Sequence, residues 1–293
     1  MKSLEKSTMK SQAITDLRNR GGHPLSLLYS EIYSAAVLTG RLQHGRSQPG
    51  FSLKGASPFY LSALAGFRHG LEKPDVFDVI RDVLRVYYEK VVPEHAAEWL
   101  GMQVAESHVF RQNPPWAAVF PWRARSIESY RQAYEKAAIE ENRSVGIMDR
   151  DIQDGWLFCG PVSEAKMDVE ARRIGNVLKS IKDQSYCRSD ESDGDARATA
   201  LVKSNGEWRW LLTAGNHRAA AASALGYDSI PIRVNLVIDR EHVDFWPHVR
   251  NGNYTREQAL EFFDRVFEAE SPPITKSWNQ FVLRELAAVA VCD

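Results

Sequence analysis

A chain of 293 residues with 37 Lys+Arg against 38 Asp+Glu, a formal charge of −1, is too evenly balanced to bind nucleic acid over its whole surface. A hydrophobic fraction of 44% and a charged fraction of 26% belong to a folded protein of one large domain or two ordinary ones. Three scattered cysteines (Cys159, Cys187, Cys292) without a CxxC pair exclude a disulfide framework or a cysteine zinc site and point to a reducing compartment.

Residues 1–22 are polar and charged, with no apolar core for a signal peptide, and read as a frayed tail. No apolar run approaches the length of a membrane span, so a cytoplasmic protein without a membrane partner is expected. Leu28, Ile32, Ala35 and Ala36 put 25–42 at helical spacing, and the glycines and proline of 44–50 break it. Ser57-Pro58 fits a cap with proline in the first turn of a helix over 59–69. After Pro74-Asp75, a third helix has Val76, Val79, Ile80, Val83, Leu84, Tyr87 and Val91 on one face; Pro93 ends it, and 94–105 reads as a short fourth. No strand pattern competes, so 23–150 is expected to be a helical module. Its exception is 113–125, where three prolines forbid a long helix and the aromatics forbid a solvated linker. As a ligand wall this strap would turn Trp122 and Arg123 or Arg125 toward a base or sugar. As an inter-domain strap, the favoured reading, its aromatics bury area. Helical spacing returns over 127–141.

From Asp154 the periodicity changes. The apolar run 155–160, bounded by glycines, has the pattern of a buried strand. Ser163 is a good N-cap for a helix with Met167, Ala171, Ile174, Leu178 and Ile181 on one stripe. A Ser/Asp-rich loop, 183–195, precedes strands at 198–203 and 208–213, joined through Asn205-Gly206, the strongest short hairpin signal. The chain then turns at Gly215-Asn216-His217-Arg218 into an alanine-rich helix closed by Gly226. Ile230, Ile232, Val234, Leu236 and Ile238 alternate along a last strand. Thr255 to Gln258 form a capping box for a helix carrying Leu260, Phe263, Val266 and Phe267, and 278–291 is helical again. The expected class is α+β: a polar tail (1–22), a helical module (23–150), a small mixed α/β domain (151–240) and a helical C-terminal segment (241–293).

Three pieces in this order carry a resemblance: Val177-Leu178-Lys179-Ser180-Ile181, Gly215-Asn216-His217-Arg218, and Leu225-Gly226-Tyr227-Asp228-Ser229-Ile230-Pro231-Ile232. Residues 154–240 resemble the ParB/sulfiredoxin-like superfamily. The resemblance implies a nucleotide phosphate held at the Gly-Asn-His-Arg turn and leaves the reaction open, since members partition DNA with CTP, repair over-oxidised cysteine with ATP, or phosphorylate free serine. Sulfiredoxin's catalytic cysteine falls at Asn216 here, so sulfinic-acid repair is not implied. The segment after Asp239 is short and carries Glu257, Glu261, Asp264, Glu268 and Glu270, unlike the basic helix-turn-helix of partition proteins.

The residues alone support an anion at that turn, because a helix start directs free N–H groups outward. Gly215, Asn216, His217 and Arg218 are the phosphate-binding candidates, with Lys166 as a second cation or an ordinary solvated lysine. Phosphoryl transfer would need a carboxylate to hold Mg²⁺ or take a proton, and Glu164, Asp168, Glu170, Asp193 and Asp195 are equal candidates. No histidine has metal-ligand spacing; His242 and His248 are expected at the surface. The expected function is nucleotide binding with phosphoryl transfer or nucleotide hydrolysis, served by a nucleoside triphosphate and Mg²⁺. Alternatives are a non-catalytic nucleotide or phospho-ligand module and, less favoured, nucleic-acid binding through Arg123, Arg125, Arg131 and Arg143, which Glu128, Glu135, Glu140 and Glu141 dilute.

Overall fold

The computed structural model describes residues 14–18, 22–29, 35–144, 152–188 and 195–290. Strands β1 (Thr15–Asp16), β2 (Ala36–Arg41), β3 (Gly45–Ser47), β4 (Phe51–Ser52), β5 (Ala196–Val202), β6 (Trp208–Ala214) and β7 (Ser229–Asp239) form one mixed sheet in the order β1-β2-β7-β5-β6-β3-β4. The hairpin expected at Asn205-Gly206 is present: β5 and β6 pair antiparallel from Val202↔Trp208, and Gly206 takes φ +83° at the turn. β7 returns parallel to β5, burying Ile230, Ile232 and Val234 while Pro231 and Arg233 stay partly exposed.

Around the sheet lie α1 (Pro58–His69), α2 (Val76–Lys90), α3 (Ala96–Leu100), α4 (Ile127–Ser144), α5 (Glu164–Gln184), α6 (Asn216–Ala224), α7 (Pro247–Arg250), α8 (Arg256–Glu268) and α9 (Lys276–Ala290). α6 is buried on nearly every side, which its alanines permit. Ala219 and Ala222 join Leu38, Ala198, Trp210, Leu212 and Ile232, and Ala220 and Ala221 join Phe59, Ile80, Ala171 and Ile174. The stripe read on α5 is buried from Met167 to Ile181, and Ser163 caps it by accepting from the Lys166 amide. The Thr255/Gln258 capping box is formed on both sides.

The first half is not helical throughout. Where 25–42 reads as helix, a 3₁₀ segment covers Pro24–Tyr29 and β2 occupies Ala36–Arg41. β2 is a strand because β7 pairs with it, Leu38 opposite Ile232, a tertiary ladder that overrides helical spacing. The segment read as a break, 44–50, contains β3, and Thr15–Asp16 of the polar tail pairs with β2. The helix expected over 94–105 stops at Leu100, where Gly101 turns left-handed at φ +67°. The strand expected at 155–160 is a tight turn with a single Trp156–Cys159 bridge. Gly160 is needed there because a Cβ would lie 1.9 Å from the Tyr88 carbonyl oxygen.

Arg46 ties the sheet to α8. Its buried guanidinium donates to the carbonyls of Gln43, Gly45, Val266 and Phe267, the last at 2.7 Å. It thus closes the α8 C-terminus, where carbonyls lack helical partners and a cation is favoured. Arg46→Ala is expected to lower stability by about 3 kcal/mol, read from the midpoint of urea unfolding.

Candidate functional site

Gly215 caps α6 at φ +85°, and no side chain caps the helix. A Cβ there would meet the Ala196 Cα at 3.0 Å, so the turn needs glycine for both its conformation and its closeness to β5. Gly215→Ala is expected to destabilise by about 1–3 kcal/mol, measured by thermal unfolding. Asn216, a phosphate-binding candidate in the sequence, is the first helical residue, and its Oδ1 is buried with no hydrogen-bond partner among the described residues.

His217, expected to face a ligand, faces a carboxylate of the chain itself. Its Nε2 lies 2.8 Å from Glu170 Oε2, and Phe59 of α1 packs edge-on against the ring at 5.3 Å. Glu170 is fully buried on α5, with Lys166 Nζ 3.1 Å and Arg173 Nη1 3.1 Å from its Oε1. Burial alone would push the Glu170 carboxyl up; the His217 contact and the Lys166 and Arg173 charges outweigh it and hold the group well below the usual carboxylate range. Lys166 is itself buried. It is therefore not an ordinary solvated lysine, and its ammonium faces Glu170. Glu170 in turn is fully buried and faces His217, Lys166 and Arg173.

The other acids are engaged elsewhere. Glu164 and Asp168 face α2, where Arg85 and Arg81 each meet them at 2.9 Å. Asp195 is buried beside Gly215's neighbour Ala196, 3.3 Å from Arg233 and 3.6 Å from Arg188. Asp193 lies outside the described residues. Arg218 lies near Tyr186, whose hydroxyl burial pushes up to about 12 against the pull of that guanidinium.

The strap's aromatics bury area, with Phe120 and Trp122 in the core, and its arginines lie along a cleft. The cleft, of about 680 Å³, opens between the strap, α4 and the strand ends, with Ala214, immediately before the turn, on its lining. Arg123 and Arg125 come from the strap, Arg197 from β5 and Thr213 from β6. The strap is held rigid from behind: Tyr254 donates to the Val119 carbonyl at 2.8 Å, and His248 Nε2 lies 2.8 Å from the Arg125 carbonyl. His248 is therefore buried, not at the surface. Trp122 is 4% exposed and packs against Trp246 and Phe262 at 5.4 and 5.6 Å, so it floors the cleft and does not offer a free stacking face. Arg123 is half-buried and Arg125 exposed, and neither guanidinium makes an ion pair among the described residues.

Residues the sequence did not single out complete the cleft. The Tyr130 and Tyr134 hydroxyls lie 3.4 Å apart, and Gln48 Nε2 donates to Tyr134 at 3.3 Å. Burial and the neighbouring Tyr134 keep the Tyr130 hydroxyl protonated, far above its ordinary range. Their i,i+4 spacing on α4 is the one signal that could have found this pair. A larger opening of about 920 Å³, at the ends of α3, α8 and α9, contains none of the sequence-predicted site residues.

No family model, curated protein or solved structure matches this chain. No helix of the described residues is long and apolar enough to cross a membrane, and no described group of three or more His, Cys, Asp or Glu side chains could hold a metal.

Proposed function

We propose that this chain binds a phosphorylated small molecule of the nucleotide type in the strap cleft, and that it does so as a binding or regulatory module. The observation that carries the reading is the pair of arginines, Arg123 and Arg125, without ion pairs among the described residues on the wall of a tyrosine-lined concavity. A half-buried guanidinium without a counter-charge costs stability until an anion arrives, and its planar fork matches phosphate. Tyr130 and Tyr134 supply ring faces and hydroxyl donors for the sugar and base. Phosphate bound by Arg123 and Arg197 would point toward the start of α6 at the end of β6.

The ParB/sulfiredoxin-like reading of 154–240 is supported by how its pieces lie: α5 carries Ser180-Ile181, and β5, β6, the Gly215 turn, α6 and β7 follow as one connected unit. Within that reading the phosphate shifts from the His217 side chain toward Arg218 and the strap arginines, because Glu170 already engages His217.

Phosphoryl transfer is the second reading, favoured only by Asp195 beside the turn. The residues on the cleft do not fit Mg²⁺, since no described acid lines it and Glu164, Asp168 and Glu170 are paired away from it. Nucleic-acid binding loses Arg131, which pairs with Glu128 at 2.8 Å. Calorimetric titration of the full chain with nucleoside mono- and triphosphates, with and without Mg²⁺, followed by product analysis, tests these readings. Binding without turnover and without a Mg²⁺ requirement is expected. Silence toward every nucleotide and toward inorganic phosphate would overturn the proposal, and Mg²⁺-dependent product would promote transfer.

A further inference from the structure

The larger opening, of about 920 Å³, lies between the end of α3, α8 and the start of α9, and Arg265 of α8 lines it. Arg265 Nη2 donates to the Leu100 carbonyl, and the guanidinium stands 5.3 Å from the Phe262 ring. The loop after α3 packs so closely on it that a Cβ on Gly101 would lie 3.2 Å from both Cζ and Nη2. Nη1 is buried with no hydrogen-bond partner among the described residues, and no described carboxylate pairs with the group. Burial holds the guanidinium below its ordinary range, and Tyr254, Glu261 and Glu270 offset this only in part. A fixed cation kept largely out of water without a counter-ion is a receptor for one.

The same cavity presents an unpaired acceptor. Asn279 of α9 directs its Nδ2 to Ser271 Oγ at 2.9 Å and Thr275 Oγ1 at 3.3 Å. The Thr275 hydroxyl gives its hydrogen to the Pro272 carbonyl at 2.8 Å, so its oxygen accepts from the amide and fixes Nδ2 on that side. The end left over, Oδ1, is buried without a partner among the described residues, a state that a donor from outside the chain would relieve. The lining is apolar at Phe262, Ile274 and Leu283 and carries Glu98, Glu261 and Glu270 against one further cation, Lys276. Those acids disfavour a dianion such as phosphate and favour an ammonium beside the Asn279 carbonyl. We infer that this cavity is a second ligand site, which takes a free α-amino acid with an apolar side chain, its carboxylate on Arg265 Nη1 and its ammonium on Asn279 Oδ1. The assignment is independent of the strap cleft and of what binds there.

The test is calorimetry on the full chain with L-leucine, L-leucinamide and N-acetyl-L-leucine, and with inorganic phosphate as a competitor. The amide lacks the carboxylate and the acetyl derivative lacks the ammonium. Leucine is expected to bind roughly tenfold or more tightly than either blocked form, and phosphate is expected not to compete with it. In Arg265→Met, leucine should bind no better than leucinamide does in wild type; in Asn279→Leu, it should bind no better than N-acetyl-leucine does. The three-ligand comparison on wild type stands whether or not either variant folds. A blocked form that binds as tightly as leucine, competition by phosphate, or leucine affinity retained in either folded variant overturns the assignment. So does the absence of heat with leucine, methionine and phenylalanine at millimolar concentration.

Discussion

Glu170→Ala is expected to cost about 3–5 kcal/mol of folding stability, because it removes the carboxylate that faces a buried ammonium. Lys166 Nζ and His217 Nε2 both reach the same carboxylate, at 3.1 and 2.8 Å, and Lys166 is 3% exposed, so water cannot replace the lost group. The loss should appear as a lower urea midpoint with an unchanged slope. Replacing both partners, Lys166→Met with Glu170→Met, should recover much of it, since removing a buried pair together avoids the stranded charge. The effect also has a pH signature. The folded protein holds the Glu170 carboxyl below the ordinary 4.5, near 2, so its stabilisation is complete above pH 4.5 and fades as pH falls toward 2. The stability gap between wild type and Glu170→Gln should therefore narrow over that window. A gap that widens on acidification, or a Glu170→Ala variant as stable as wild type at pH 7, would mean the cluster is solvated and does not anchor α6 to α5.

Elements fixed by local chemistry were legible in the sequence. The Ser163 cap, the Asn205-Gly206 turn, the Thr255/Gln258 box and the long apolar stripes of α2 and α5 each act within a few residues, and all are present. β2 was not legible, because its conformation comes from pairing with β7 at the far end of the chain. The run 155–160 misled for another reason: a short apolar stretch buries its side chains equally well in a turn, and only Gly160 against the Tyr88 backbone decides between them. At the site, the acid nearest the turn was among the five candidates, but one sequence cannot say whether a carboxylate faces ligand or neutralises its own neighbours. The two strap arginines were found because prolines and aromatics beside fixed charges are unusual in a linker. Gln48, Arg197 and Asn235 were missed because the cleft is assembled from segments that carry no shared local pattern.

Arg123→Ala separates binding from folding most directly. The guanidinium is half-buried, its Nε has no hydrogen bond among the described residues, and its surroundings include the Tyr130 hydroxyl but no acid on the cleft. Removing it deletes a charge the fold does not compensate, so thermal stability should hold or rise slightly. Binding should move the other way. A charge-assisted hydrogen bond to phosphate in a partly desolvated cleft is worth about 1.5–3 kcal/mol, so affinity for a nucleoside monophosphate should fall by roughly ten- to a hundredfold. Arg123→Lys should restore only part of that loss, because a point charge does not reproduce the planar fork, while Arg125→Ala should have a smaller effect because that side chain is exposed. The same titration with Arg218→Ala locates the phosphate. A loss as large as that of Arg123→Ala means the anion bridges the strap to the start of α6; no loss means the strap and β5 hold it alone. Unchanged affinity in Arg123→Ala would leave those arginines without a ligand and remove the basis for placing one in the cleft.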